Sequence, residues 1–297
     1  MRWQMRRMQA AHRWGTVAES IPAVIGNAMP KSGSHLIIQV LQGLQSLGPF
    51  VNPGFPPLNR SEDNQKLDDV MVLKNIQRLR SGDIAYAYLQ ARVPFIACFN
   101  RSPDGFTSSN SRFSVHTQKQ SVNTLMVFVY RDPRDFVISH VFYATQMHPG
   151  HGLHRYYTET LTSMEERINA AIQGVAENED VTDSPLSSVY TKYEKYLDWL
   201  SQPEVLCLKF EDLILQREKT LGTLLNFLAE YGFSPNVSHS EAVHTLAQAI
   251  VPKASGTFRR AKPGNWVEYF TESNKKIFKQ NSADLLLRLG YEQNENW

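Results

Sequence analysis

The stretch VIGNAMPKSGSHLIIQVLQGL, residues 24–44, constrains this chain more than any other. An apolar run stops at Met29, a Pro-Lys-Ser-Gly-Ser turn intervenes, and apolar residues then recur at helical spacing. That order predicts a buried strand, a short polar loop and a helix closed by Gly48 and Pro49. The same alternation returns twice. TLMVFVY leads into RDPRDFVISHVFYATQ, and EVLCLKF leads into REKTLGTLLNFLAEYG, a helix ending at Gly232. Strands separated by helices are joined by crossovers and lie parallel, so the expected fold is α/β, with a central, mostly parallel sheet flanked by helices. The 297 residues suffice for one large domain, and neither an internal repeat nor a composition break divides them. The expected organisation is a basic tail over residues 1–20 followed by one domain over 21–297.

Other segments fill in the layers. KLDDVMVLKNIQRLRSG predicts an amphipathic helix with Val70, Leu73, Ile76 and Leu79 inward. DIAYAYLQA predicts a strand, and VPFIACF a further strand or a buried helix. TSMEERINAAIQG, SSVYTKYEKYLDWLS and NKKIFKQNSADLLLRLGY predict helices, whereas the Ser/Asn/Gln-rich residues 100–123 predict a surface loop. Cys98 and Cys207 sit in apolar runs, which predicts packing residues, no disulfide framework and a reducing, cytoplasmic setting. No run approaches the length of a membrane span.

Parallel sheets bind ligands beyond the carboxyl ends of their strands, so the loops after Met29, Tyr130 and Phe210 are the places to look. The turn at residues 30–34 precedes a helix, where free amide groups and the positive end of the helix dipole favour phosphate or sulfate. Gly33 lets the backbone approach such a ligand, Ser32, Ser34 and His35 add donors, and Lys31 adds a mobile positive charge. A nucleotide-hydrolysing loop places its lysine after the second glycine, as G-x-x-x-x-G-K-[ST]. Here lysine precedes the one glycine, which argues against ATP or GTP hydrolysis. The net charge of only +2 also excludes a bulk basic field for nucleic acid, so any anion site is local.

The loop PKSGSHL resembles the 5′-phosphosulfate loop, P-K-[ST]-G-T-T-W, of sulfotransferases that use 3′-phosphoadenosine 5′-phosphosulfate (PAPS). Two further segments resemble the same family in the same order: VYRDPRDFVISH is similar to R-N-P-[KR]-D-x-x-x-S, and FRRAKPGNW to R-K-G-x-x-G-D-W. The likeness runs from about Ala23 to Phe270 and is nearest to soluble, bacterial or cyanobacterial-like members. The resemblance implies a P-loop-like site in which Lys31, Ser32, Gly33, Ser34 and His35 hold the donor's 5′ end. It implies that Arg131 and Ser139 hold its 3′-phosphate, with Arg259 and Arg260 closing from a late loop whose spacing Gly264 and Trp266 keep. Ala261 and Asn265 depart from the pattern, and Phe210 in LCLKFEDL takes the place of a tyrosine whose ring lies beside adenine. Leu36 stands where a stacking tryptophan often follows the loop.

The implied reaction moves a sulfuryl group from PAPS to a hydroxyl, or an amine, of a small-molecule or carbohydrate- or lipid-like acceptor, without a metal. Lys31 is then the residue that neutralises charge on the leaving phosphate, with His35 a further donor. The general base stays open. Family members often carry His-Leu at the end of the next strand; in YAYLQA that place falls on Tyr88 or, shifted by two, on Gln90. Neither is a ready base, since tyrosine ionises near pH ~10 and glutamine does not titrate. A nearby Lys31 would lower the pKa of Tyr88, while Glu62, Asp63 and His116 are loop alternatives. His148, His151 and His154 in HPGHGLH are read as an acceptor-site rim, a lid or plain surface before a metal set, and HRYY as a grip for an apolar acceptor.

Overall fold

Strands β1 (Ala23–Ala28), β2 (Ile84–Ala87), β3 (Thr124–Tyr130) and β4 (Val205–Lys209) form a four-stranded sheet of order β2-β1-β3-β4, and each neighbouring pair is parallel. The structure is a computed structural model that describes residues 4–5, 7–9, 12, 21–99, 124–176, 185–251 and 262–297. The predicted 100–123 loop with His116, and Arg259, Arg260 and Ala261, lie outside the described residues. In chain order the helices are α1 (Ser34–Gly43), α2 (Asp69–Gln77), α3 (Val93–Ile96), α4 (Pro133–Phe142), α5 (Met164–Gln173) and α6 (Val189–Leu197). They continue with α7 (Phe210–Leu215), α8 (Arg217–Glu230), α9 (His239–Ala249), α10 (Trp266–Tyr269) and α11 (Glu272–Arg288).

The side-chain alternation of the strands divides the core into two layers. Val24, Ala28, Leu125, Val127, Val129 and Leu208 face one side, where residues of α1, α8 and α9 cover them. Ile25, Met126, Phe128, Tyr130 and Val205 face the other, against α2, α4, α5, α6 and α11. Because both faces are covered, the strands read as continuous apolar runs, as buried parallel sheets require. The chain passes from β1 to β2 on one side and returns to place β3 on the other. The strand order therefore reverses at β1 and β3, and their following loops diverge around a crevice. Ala28 pairs with Val129, and the Met29 N–H donates to the Val129 carbonyl at 3.1 Å, so the first two motifs start side by side.

Some expectations are corrected. Ile76 and Leu79 are buried as expected and Leu73 packs half-buried against the core, but Val70 is 57% exposed and Val72 is buried in its place, at the end of α2 that Asp68 caps through the Met71 N–H. Cys98 is exposed, since α3 turns Phe95 and Phe99 inward and leaves the thiol on its outer side, whereas Cys207 is half-buried. Of the two readings offered for VPFIACF the helix holds, over Val93–Ile96. β2 ends at Ala87 because the buried Asn27 side chain takes the next backbone pair. Its amide donates to the Leu89 carbonyl at 3.0 Å and accepts from the Leu89 N–H at 2.8 Å. Helix α9 was not anticipated, although Ser238 and Glu241 form its capping box.

Candidate active site

Two left-handed residues shape the loop after β1: Lys31 has φ 65° and Gly33 φ 95°. The Lys31 conformation sends its carbonyl and its side chain in different directions. The carbonyl lies 3.5 Å from Arg131 Nη1, and the ammonium rests on the face of Tyr143 in the π-helical turn that continues α4. Burial lowers the Lys31 pKa to about 8. Gly33 is the N-cap of α1, and no side chain caps that end, so amides of its first turn are left for a ligand. A Cβ on Gly33 would meet Phe210 Cδ2 at 2.7 Å. Ser32 is wholly buried and Ser34 half-buried, while His35 is exposed on the first turn of α1.

Arg131 is held from behind. Its carbonyl accepts from the Tyr193 hydroxyl at 2.9 Å, and the following Asp132 N–H donates to Glu211 at 3.1 Å. Glu211 also accepts from the Tyr291 hydroxyl at 2.7 Å. The guanidinium lies over the Phe210 ring, 4.6 Å from its centroid, and 3.5 Å from Asp135. Arg131 is 8% exposed, and its Nε has no hydrogen-bond partner among the described residues. Phe210, Gly33 and Arg131 thus form one contact group, as the motif reading requires. Leu36 packs buried beside them, and Ser139 stands half-buried farther along α4.

The third motif reaches the same place through a residue the sequence reading underused. Asp135, in the first turn of α4, is buried and accepts from two backbone amides of the late loop, Gly264 at 2.8 Å and Trp266 at 2.9 Å. Burial is the largest influence on its carboxyl and raises its pKa, against the pull of Arg131 and the two amides. Arg134 completes the anchor. It chelates Asp132, bonds Glu292, and lies over the faces of Trp266 and Trp297 at 4.1 and 4.6 Å. Asp132 is thus taken by Arg134 and not by its neighbour Arg131, which is left turned to the crevice. A carboxylate in the first turn of a helix after R-D-P was the available signal for Asp135.

Beyond Lys31, on the side away from Arg131, opens a cleft of about 620 Å³. Met29, Phe136, Tyr143, Leu153, Leu186 and Tyr196 give it apolar walls, and Lys31, Gln90, His140, His151, Lys192 and Lys195 its polar groups. His140, unremarked in the sequence reading, is buried, and its Nε2 has no hydrogen-bond partner among the described residues. Burial, then the charges of Lys192, His151 and Lys31, lower its pKa to about 3, so the ring is neutral. His151 packs edge-on to His140 with ring centroids 5.5 Å apart, and its pKa is lowered, mostly by burial. His151 Nδ1 accepts from the Leu153 N–H, whereas His154 Nδ1 lies 2.7 Å from the Ala144 carbonyl and must donate to it. These histidines therefore serve the loop and the cleft wall, and no group of three or more His, Cys, Asp or Glu among the described residues is placed to hold a metal. Of the base candidates, Gln90 reaches the cleft, Tyr88 stands half-buried where Asn59 brackets its backbone, and Glu62 lines a separate hollow of about 190 Å³.

Fold and site together define an α/β protein whose switch-point loops bring a turn with an uncapped helix end, a backed arginine and the docked residues Gly264 and Trp266 around one crevice. The sulfotransferase domain model matches residues 22–288, and the chain belongs to that family. The enzyme class expected from the motifs, PAPS-dependent sulfotransfer, is the class this family defines. Among solved structures it is similar to mouse sulfotransferase SULT7A1 complexed with PAP, at 13% identity, TM-score 0.55, covering 96% of this chain and 95% of that one. It is also similar to retinol dehydratase in complex with androsterone and inactive cofactor PAP, at 12% identity, TM-score 0.51, covering 95% and 85%. No curated protein matches in sequence. Among the described residues no helix is long and apolar enough to cross a membrane.

Proposed function

We propose that this protein transfers the sulfuryl group of PAPS to a hydroxyl of an acceptor bound in the 620 Å³ cleft. The observation that carries the reading is the position of Lys31. It stands on the boundary between the Arg131–Phe210–Gly33 group and the cleft, with its backbone toward the first and its ammonium toward the second. The buried polar atoms without partners support the fit of an anionic nucleotide. Ser32 Oγ, Arg131 Nε and Asn265 Oδ1, one from each motif, are among them, and such orphans are rare unless a ligand completes them.

In this reading Arg131, with Ser139 and the Arg259–Arg260 pair, holds the 3′-phosphate, Phe210 lies beside the base, and residues 31–35 hold the 5′ end. The acceptor oxygen bonds to sulfur as the sulfur–phosphate oxygen bond breaks, PAP leaves with the electron pair, and Lys31 stabilises the charge gathering on its phosphate. His140 Nε2 is the group to which we assign the acceptor's proton, taken late; burial, then the charges of Lys192, His151 and Lys31, keep the ring neutral, and the incoming anions offset the charge part of that effect. Tyr88 and Glu62 stay as alternatives that one comparison decides. His140→Ala is expected to lower the turnover of radiolabelled sulfate from PAPS at least about a hundredfold with PAP affinity intact, and Tyr88→Phe and Glu62→Gln to leave it near normal. The reverse order moves the base to the residue whose loss stops the reaction. Absence of PAP binding by calorimetry would end the proposal.

A further inference from the structure

The cleft beside Lys31 is unusually one-sided in charge. Lys31, Lys192 and Lys195 line it with His140 and His151, and no carboxylate does so among the described residues. Lys192 and Lys195 are three apart on α6, so they share a face. Neither makes a side-chain hydrogen bond or ion pair with a described residue. The Lys192 ammonium lies over the Phe136 ring, 5.7 Å from its centroid, and burial, then the charge of Lys195, lowers its pKa to about 8. A lysine desolvated next to another lysine, with no counter-charge among the described residues, is unfavourable unless something negative comes to it. In the sulfotransfer reading the donor's sulfuryl end meets this cleft at Lys31, within the loop after β1, which leaves the lining residues Lys192, Lys195, Tyr196 and Leu186 to the acceptor.

We infer that the acceptor is an amphipathic hydroxyl compound that carries an oxyanion of its own, a carboxylate or a phosphate or sulfate ester, and that Lys192 and Lys195 select it. Phe136, Tyr143, Leu153 and Tyr196 take its apolar body, while the hydroxyl points to His140 and Lys31. The volume, about 620 Å³, suits a compound of drug-like size rather than a polymer. The inference rests on the sulfotransfer reading for which end of the cleft the donor occupies, but the charge selection can be measured without it.

The test uses three matched phenols on the full chain, with and without PAP: 3-(4-hydroxyphenyl)propionate, its primary amide, and the phosphate monoester of 2-(4-hydroxyphenyl)ethanol. Dissociation constants come from calorimetry. One charge-assisted contact corresponds to about tenfold or more in affinity, so the propionate or the phosphate ester is expected to bind at least about tenfold tighter than the amide. Which of the two is tighter identifies the oxyanion. Lys195→Gln, at an exposed position, and Lys192→Gln are each expected to reduce that preference about tenfold and to leave PAP affinity within about twofold. Equal or tighter binding of the amide, binding of none of the three, or a preference that survives both substitutions would overturn the inference. A chain that ignores PAP yet prefers the anionic phenols would overturn the donor reading alone.

Discussion

Replacing Gly33 by alanine tests how the donor loop is built. Gly33 has φ 95°, in the left-handed region, and an added Cβ would stand 2.7 Å from Phe210 Cδ2 and 3.3 Å from its Cε2. The backbone term is about 1–2 kcal/mol for an L-residue in that region. The clash adds about 1–3 kcal/mol, because Phe210 is buried and cannot swing into solvent. The expected loss of stability is therefore about 2–5 kcal/mol. Gly264→Ala is the internal control. It shares a positive φ, 75°, but a Cβ there meets nothing within 4 Å, so only the backbone term, about 1–2 kcal/mol, applies. Urea unfolding of both variants gives the difference directly. In a Phe210→Ala background the clash disappears, and Gly33→Ala should fall to the cost of Gly264→Ala, which a double-mutant cycle reads as coupling between positions 33 and 210. Because Phe210 also carries the Arg131 guanidinium on its face, Gly33→Ala is expected to weaken PAP binding at least about tenfold by displacing both groups. Equal losses in the two glycine variants, or a Gly33→Ala cost unchanged without the Phe210 ring, would refute the packing argument.

Arg131→Gln removes a charge-assisted contact and is expected to weaken PAP binding about 10- to 100-fold in calorimetry, with little loss of stability, since Arg131 makes only long contacts to the protein's own groups. Asp135→Ala strips the Gly264 and Trp266 amides of their acceptor; it should cost about 2–4 kcal/mol in urea unfolding and also weaken PAP, which Arg131→Gln does without the stability loss. The folded pKa of Lys31, about 8, lies below the value of 10.5 for a free lysine, so the unfolded chain holds more protons between those limits and the ligand-free protein gains stability as pH rises through that window. The gain is modest because Lys31 is only partly buried. PAP, by bringing negative charge, should raise that pKa. At a pH of about 8.5, binding is expected to take up protons, seen as a dependence of binding heat on buffer ionisation enthalpy and diminished in Lys31→Met. Heats independent of buffer would contradict this.

How much was legible depended on whether a feature is local. The strand–turn–helix of residues 23–43 could be read because apolar runs and a glycine in a turn act through neighbours in the chain, and β1 and α1 fall where that pattern puts them. Val70 was misread by the same logic, since helical spacing names the residues of one face but not how far along the helix the core reaches, and Val70 lies in the exposed first turn of α2. The end of β2 was illegible because a side chain from another strand, Asn27, takes the backbone groups of Leu89.

By itself the sequence determined the fold class, the family and the three segments proposed to hold the nucleotide, because these are written as short runs whose chemistry is carried by adjacent residues. The tertiary structure alone decided which groups face one another. It set Asp135 beneath the late loop, gave Arg134 rather than Arg131 to Asp132, and placed His140, Lys192 and Lys195 in the cleft with Lys31. Those pairings join residues up to 164 positions apart (Lys31 to Lys195), and no periodicity in a chain records which of its distant side chains will share a low-dielectric space.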